Sequence, residues 1–216
     1  PAFEGAQIMC GQRAAPGAIE RVRIDRRTLM PRFKIIGVEM WSDEPGFTEA
    51  AKDIGVSGIC GSGIIEAVAE LYLSGVVDAS GRMQAKNLDV AKHPNFVAKG
   101  RNFEYVLYQD EDRVVYVAPS DIRAIQLAKS ACYSGVRLLM DRMGTDHVDR
   151  IYLAGAFGSY IDVGYAMAIG LIPDCKLDRV ESAGNAAGTG ARIALLSASS
   201  RVEIDRVCRL VDKIET

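Results

Sequence analysis

The feature that most restricts what this chain can fold into is a strand running into a glycine turn, found twice in its last third. Ile151-Tyr152-Leu153-Ala154 enters Gly155-Ala156-Phe157-Gly158, and Val180-Glu181-Ser182-Ala183 enters Gly184-Asn185-Ala186-Ala187. Helical patterns follow each turn, at 163–169 and 185–197, and 200–210 reads as a further helix. Strands alternating with helices make an α/β layer with helices packed on a sheet. Glycine at a strand end permits positive φ and lets a ligand approach the backbone without meeting a Cβ. A helix start adds unpaired N–H groups and the positive end of the dipole, which suit phosphate or a polar nucleotide edge. Ligands of open α/β sheets sit beyond the carboxyl ends of strands, where both turns would lie. A third glycine turn, Cys60-Gly61-Ser62-Gly63, opens an earlier helix. Taken singly, each turn is better explained by close helix–sheet packing; the pair in the last third carries the weight.

Upstream, residues 18–24 and 32–36 alternate and read as a strand pair joined around 25–31. A short helix is expected near 48–52. The helix from Gly61 carries Ile64, Ile65, Val68, Leu71 and Tyr72 at helical spacing and closes at Gly75. Residues 78–100 read as irregular, and 103–108 with 113–117 as a hairpin whose solvated tip is Asp110-Glu111-Asp112. A long helix is expected over 120–143, with Ser120 as N-cap and Gly144 as its stop. Ile122, Ile125, Cys132, Val136, Leu139 and Met143 would line its apolar face. Met40, Trp41 and Phe47 are read as core rather than as an exposed docking patch.

The 216 residues carry 26 Lys and Arg against 28 Asp and Glu. That balance disfavours nucleic acid or an anionic membrane as the main partner, since both demand a basic surface. No apolar run approaches the roughly 20 residues that span a bilayer, and no signal peptide opens the chain, so a cytoplasmic protein is expected. Pro1-Ala2-Phe3-Glu4-Gly5 reads like sequence from within a longer protein. The five cysteines, Cys10, Cys60, Cys132, Cys175 and Cys208, form no C-x-x-C grouping, so no complete metal site is expected within the chain. Cys60 stands at a helix N-terminus, a position that favours thiolate chemistry, but a small buried residue is the simpler reading. His93 and His147 read as surface histidines, and Arg13 as a structural ion-pair partner more than a phosphate ligand.

The spacing of the two turns, strand–Gly–X–X–Gly, short helix, then strand–Gly–X–Ala–Ala and a long helix, is similar to the adenosine and second connecting motifs of the acetate/sugar kinase, heat-shock chaperone and actin superfamily. More narrowly, 1–6, 58–66, 121–129 and 153–158 resemble the C-terminal domain of the reductive activators of corrinoid proteins, and the likeness runs from the first residue to the last. The resemblance implies an α/β, ribonuclease H-like or actin-like subdomain with a mixed sheet flanked by helices, a partial fold lacking its upstream subdomain. Residues 1–118 would be a strand-hairpin and inserted region, and 119–216 the adenosine-side α/β core. It also implies ATP with Mg2+, a [2Fe–2S] cluster in a missing N-terminal domain, and a corrinoid protein of a methyltransferase system as partner. Gly155, Ala156, Phe157, Gly158, Gly184 and Asn185 would lie around adenosine, and Gly61, Ser62 and Gly63 would face the nucleotide cleft. The family's two phosphate-binding hairpins and its ferredoxin cysteines are absent, so this piece would hold the adenine-side wall only, without hydrolysis or electron transfer of its own. A symmetric homodimer is the default assembly. A dehydratase activator, a kinase of the same superfamily and a non-catalytic docking domain stay open as alternatives, because fold alone does not decide function.

Overall fold

The computed structural model describes residues 7–84, 93–100 and 102–214, apart from the side chains of Ala156 and Phe157. The opening stretch 1–6, which includes Glu4, lies outside it.

Strand β1 (Ala18–Ile24) pairs antiparallel with β2 (Pro31–Ile35), placing Val22 opposite Phe33 and Arg23 opposite Arg32. The expected strand pair is therefore present. Alternation sends Val22, Ile24, Phe33 and Ile35 into the core and leaves the arginines and Lys34 on the other face. The connecting turn is held by Asp25, whose Oδ1 accepts from the Thr28 N–H at 2.7 Å and the Arg27 N–H at 3.0 Å. After a single turn of helix, α1 (Phe47–Ala50), the two-residue β3 (Gly58–Ile59) joins β1 in parallel, giving a mixed sheet of order β2-β1-β3.

Helix α2 (Gly61–Leu73) packs on β1, and every residue from Gly61 to Leu71 is buried. A helix buried all round is a central element rather than a surface one. Around it gather Ile19, Val22, Ile59, Ile64, Ile65, Leu71, Val117, Ile122 and Ile125. Beside this core stands an antiparallel meander, β4 (Phe96–Lys99), β5 (Asn102–Gln109) and β6 (Val114–Val117). Tyr105 of β5 is fully buried, and its hydroxyl donates to the Leu29 carbonyl at 2.8 Å, tying the meander to the β1–β2 turn. β4 corrects the irregular reading of 78–100 where that stretch is described; residues 85–92 lie outside the description. The run Phe96-Val97-Ala98-Lys99 is too short to read alone, and its strand exists because β5 offers it an edge.

Helix α3 (Pro119–Met143) begins one residue earlier than expected. Its N-cap is Ala118, not Ser120: Pro119 takes the first helical position, and Asp121 accepts the Ala118 N–H at 2.9 Å. Gly144 ends the helix in the left-handed conformation, as read. The expected apolar face fails in its second half, for Cys132 and Leu139 are exposed and Met143 is 79% exposed. Only the first turns of α3 lie over the core.

The last part holds β7 (Ile151–Ala154), α4 (Gly155–Tyr160), α5 (Val163–Ala168), β8 (Val180–Gly184), α6 (Ala186–Leu196) and α7 (Ala198–Cys208). β7 and β8 pair in parallel as a two-stranded sheet. Gly155 to Gly158 is the first turn of a helix, not a loop. No residue of α6 or α7 is buried, and Leu196 is 82% exposed. No helix of the described residues is long and apolar enough to cross a membrane.

Candidate functional site

The two glycine turns of the last third leave neighbouring strands at the same end. In the β7–β8 ladder Ala154 lies opposite Gly184, so Gly155 and Asn185 continue side by side beyond the carboxyl rim. Gly155 has φ +93° and Gly184 φ +56°, and around the position of a Cβ on either there is open space within 4 Å. Side chains of the turns are tied across the gap: Ser159 and Ser182 share a hydrogen bond at 2.9 Å, and Ser159 Oγ also donates to the Gly155 carbonyl at 3.2 Å. Asn185 caps α6 by accepting the Gly188 N–H at 2.9 Å. The cap satisfies one of the four N–H groups that a helix start leaves without an internal partner.

Gly158 has a different reason to be glycine. A Cβ there would stand 2.9 Å from the Leu153 Cβ, so its size lets α4 fold back onto β7. The backbone of Ala156 and Phe157 lies between these two glycines in α4; their side chains lie outside the description.

Gly61, Ser62 and Gly63 are buried beneath β1. A Cβ on Gly63 would stand 2.2 Å from the Ile19 carbonyl oxygen, and Ser62 Oγ donates to the Glu20 carbonyl at 3.1 Å. The smallness of Gly63 is accounted for by helix–strand contact, although α2 does touch α4. Cys60, the N-cap of α2, is buried with its Sγ 3.4 Å from Ser62 Oγ.

Sequence reading missed a polar network running from β1 and α2 to the start of α5. Glu66, fully buried on α2, accepts from Arg21 at 2.7 Å, from Arg23, and from the Val22 N–H at 2.9 Å. The Arg23 guanidinium lies 4.7 Å from the Tyr165 ring centre and 3.8 Å from Asp162 at the start of α5. Tyr165 donates its hydroxyl to Glu70, and burial followed by that carboxylate pushes the phenol well above its ordinary range. The available signal was Glu66 and Glu70, four apart in an otherwise apolar helix. Asp121, held by the Met9 and Ala118 N–H groups, is nevertheless raised by burial. A cavity of about 480 Å³ lies among α2, α3 and α5, lined by Tyr72, Ile125, Lys129 and Tyr133, but by neither rim glycine.

His147 is exposed beside Asp146, and His93 is half-buried with its Nδ1 3.2 Å from the Thr28 carbonyl. Asp110 is a hairpin-tip residue that takes the Arg113 and Asp112 N–H groups. Phe47 is core, but Met40 is exposed and Trp41 only half-buried, which corrects the core reading for both. Arg13 is exposed.

The family model described as "C-terminal domain of RACo the ASKHA domain" matches residues 1–216. The chain belongs to this family. Among its relatives, the corrinoid activation enzyme RamQ of Eubacterium limosum is 34% identical over 225 residues, a match that takes in all of this chain and 34% of that protein. A solved structure of a reductive activator for corrinoid, iron-sulfur protein superposes with a TM-score of 0.76 at 32% identity, over 97% of this chain and 31% of that one. The chain thus spans about a third of the length of the relatives it matches. The family places it in the actin-like α/β class.

A nucleotide is compatible with the rim. Two glycines at positive φ leave open space where side chains would stand, next to the start of an eleven-residue helix. An iron–sulfur cluster is not compatible with the residues described: no group of three His, Cys, Asp or Glu comes together among them, and the cysteines are dispersed.

Proposed function

We propose that this chain forms the adenosine-side wall of an ATP-dependent activator that returns a corrinoid protein from cobalt(II) to cobalt(I). The observation that carries the reading is the convergence of the Gly155 and Gly184 turns on one open rim, in a chain whose relatives are named as corrinoid activators. Gly155 and Gly184 would let adenosine approach the backbone, and Asn185 would hold the α6 start in place beside it. Gly61, Ser62 and Gly63 would contribute from beneath by seating α2 against β1. MgATP, when bound, supplies differential binding energy between two arrangements of the protein. The Glu66–Arg23–Asp162 network, which links β1 and α2 to the start of α5, is suited to transmit such a change.

The scale is adequate. A tenfold shift in a one-electron equilibrium corresponds to about 59 mV. Moving a two-state balance from 1:99 to 99:1 takes about 10⁴-fold differential binding, so about 240 mV can be bridged by population shift alone. We assign the electron-carrying [2Fe–2S] cluster to sequence outside these residues, and the corrinoid partner to a methyltransferase system.

The test is to mix the full-length protein that contains these residues, a reductant and a cobalt(II) corrinoid protein, and to follow the cobalt(I) absorption with and without MgATP. The reading expects reduction to proceed to a markedly greater extent with nucleotide. Equal reduction in its absence would refute the ATP dependence.

A further inference from the structure

Charge in this chain is distributed unevenly. Residues 20–34 hold six cations, Arg21, Arg23, Arg26, Arg27, Arg32 and Lys34, against two acids, Glu20 and Asp25. The remaining chain therefore carries twenty cations against twenty-six acids (26 less six, 28 less two). The ladder register sets Arg21 directly opposite Lys34 and Arg23 directly opposite Arg32. Like charges facing each other across a strand pair are destabilising, and the fold offsets this only in part. Glu66 reaches Arg21 and Arg23 from α2 and Asp162 stands 3.8 Å from Arg23, while Arg32 has Asp43 at a loose 3.8 Å. Asp25 is occupied by its own turn, and Glu44 accepts the Trp41 N–H.

Over the same face lies Trp41, half-buried, with Arg23, Arg32 and Lys34 at 5.6, 4.8 and 5.5 Å from its ring. Beyond it the hairpin tip presents Arg26, Arg27 and the exposed Met30. An indole among guanidinium groups, rimmed by further charge, is the composition of a protein–protein binding centre. We propose that the β1–β2 ribbon is a docking surface for an acidic protein face, with Arg32, Lys34 and Trp41 at its centre. Nucleic acid is the poorer fit, because the rest of the chain is acidic and would repel a phosphate backbone that extends beyond the hairpin. Assigning the acidic face to the corrinoid protein rests on the function proposed above; the surface itself does not.

The experiment compares the wild-type protein with the double charge reversal Arg32→Glu/Lys34→Glu and with a control reversal, Lys52→Glu, in the exposed turn after α1. Neither Arg32 nor Lys34 touches Glu66, and circular dichroism with a melting curve checks that the variants fold. Binding is measured against the corrinoid protein, poly-L-glutamate and a duplex DNA oligonucleotide at low and high salt. Expected is at least about a tenfold loss of corrinoid-protein affinity in the double variant at low salt, shrinking as salt screens the charges, with the control unchanged. Equal binding by wild type and double variant would overturn the docking surface and leave the functional reading intact. No binding of the corrinoid protein, with poly-L-glutamate bound through Arg32 and Lys34, would overturn the functional reading and keep the surface. Binding of the DNA in preference to both, or of none of the three, would overturn the surface.

Discussion

At the residue scale, individual side chains earn their places by how many donors they satisfy. Asp78 is the clearest case. Its carboxylate takes the Ser80 N–H at 2.8 Å, the Ser80 hydroxyl at 2.6 Å, the Arg82 N–H at 3.0 Å and the Gln84 amide. Those donors, the Ser80 hydroxyl foremost, lower its pKa from 3.8 to about 2. Because the folded value lies below the ordinary one, folding favours the ionised form. The contribution is therefore complete above about pH 4 and is lost as pH falls toward 2. Urea unfolding of wild type and Asp78→Asn across that window checks it. The wild-type midpoint should fall toward that of the variant as the carboxylate protonates, and a constant gap down to pH 2 would contradict it.

At the element scale, two glycines of similar helical setting should respond in opposite directions to the same substitution. Gly63 of α2 faces the Ile19 carbonyl, where a Cβ would stand at 2.2 Å, and backbone cannot step aside cheaply. Gly63→Ala should cost about 1–3 kcal/mol, the usual range for overpacking a tight interior contact. Gly190 lies within α6 with nothing inside 4 Å of its Cβ position. There Gly190→Ala should stabilise by about 0.5–1 kcal/mol, through helix propensity and a less free unfolded chain. Chemical denaturation of both variants separates the cases, and a shift of the same sign in each would refute the packing account of Gly63. The elements also show what sequence could deliver. Alternation in 18–24 and 32–36 identified β1 and β2, because each buries one face against α2 and the meander. The strand–glycine units identified β7, β8 and α6, because a turn residue terminates each strand. Periodicity could not reveal β4, whose four residues owe their strand to a neighbour. Nor could it reveal how far α3's apolar stripe is covered, since that depends on what stands beside the helix.

For the whole molecule, the core sits around α2, and the rim that carries the candidate site sits on the lightly packed β7–β8 unit. The glycines of that rim were legible in the sequence because backbone conformation selects them: Gly155 and Gly184 adopt positive φ where other residues are strained. The Glu66 network was not legible as a unit, because its members come from β1, α2 and α5 and only the fold assembles them. Trp41 shows the same limit, its apolar ring suggesting core while the cations of the β1–β2 ladder stand against it. The measurement that bears most directly on the account is calorimetric binding of MgATP to the full-length protein that contains these residues, as wild type and as Gly184→Asn. Asparagine tolerates the left-handed conformation at φ +56°, so the variant should fold normally while its side chain projects into the open rim. The account predicts an unchanged melting temperature with nucleotide affinity at least about tenfold weaker. Undiminished binding by the folded variant would contradict it, as would the absence of binding by the wild type.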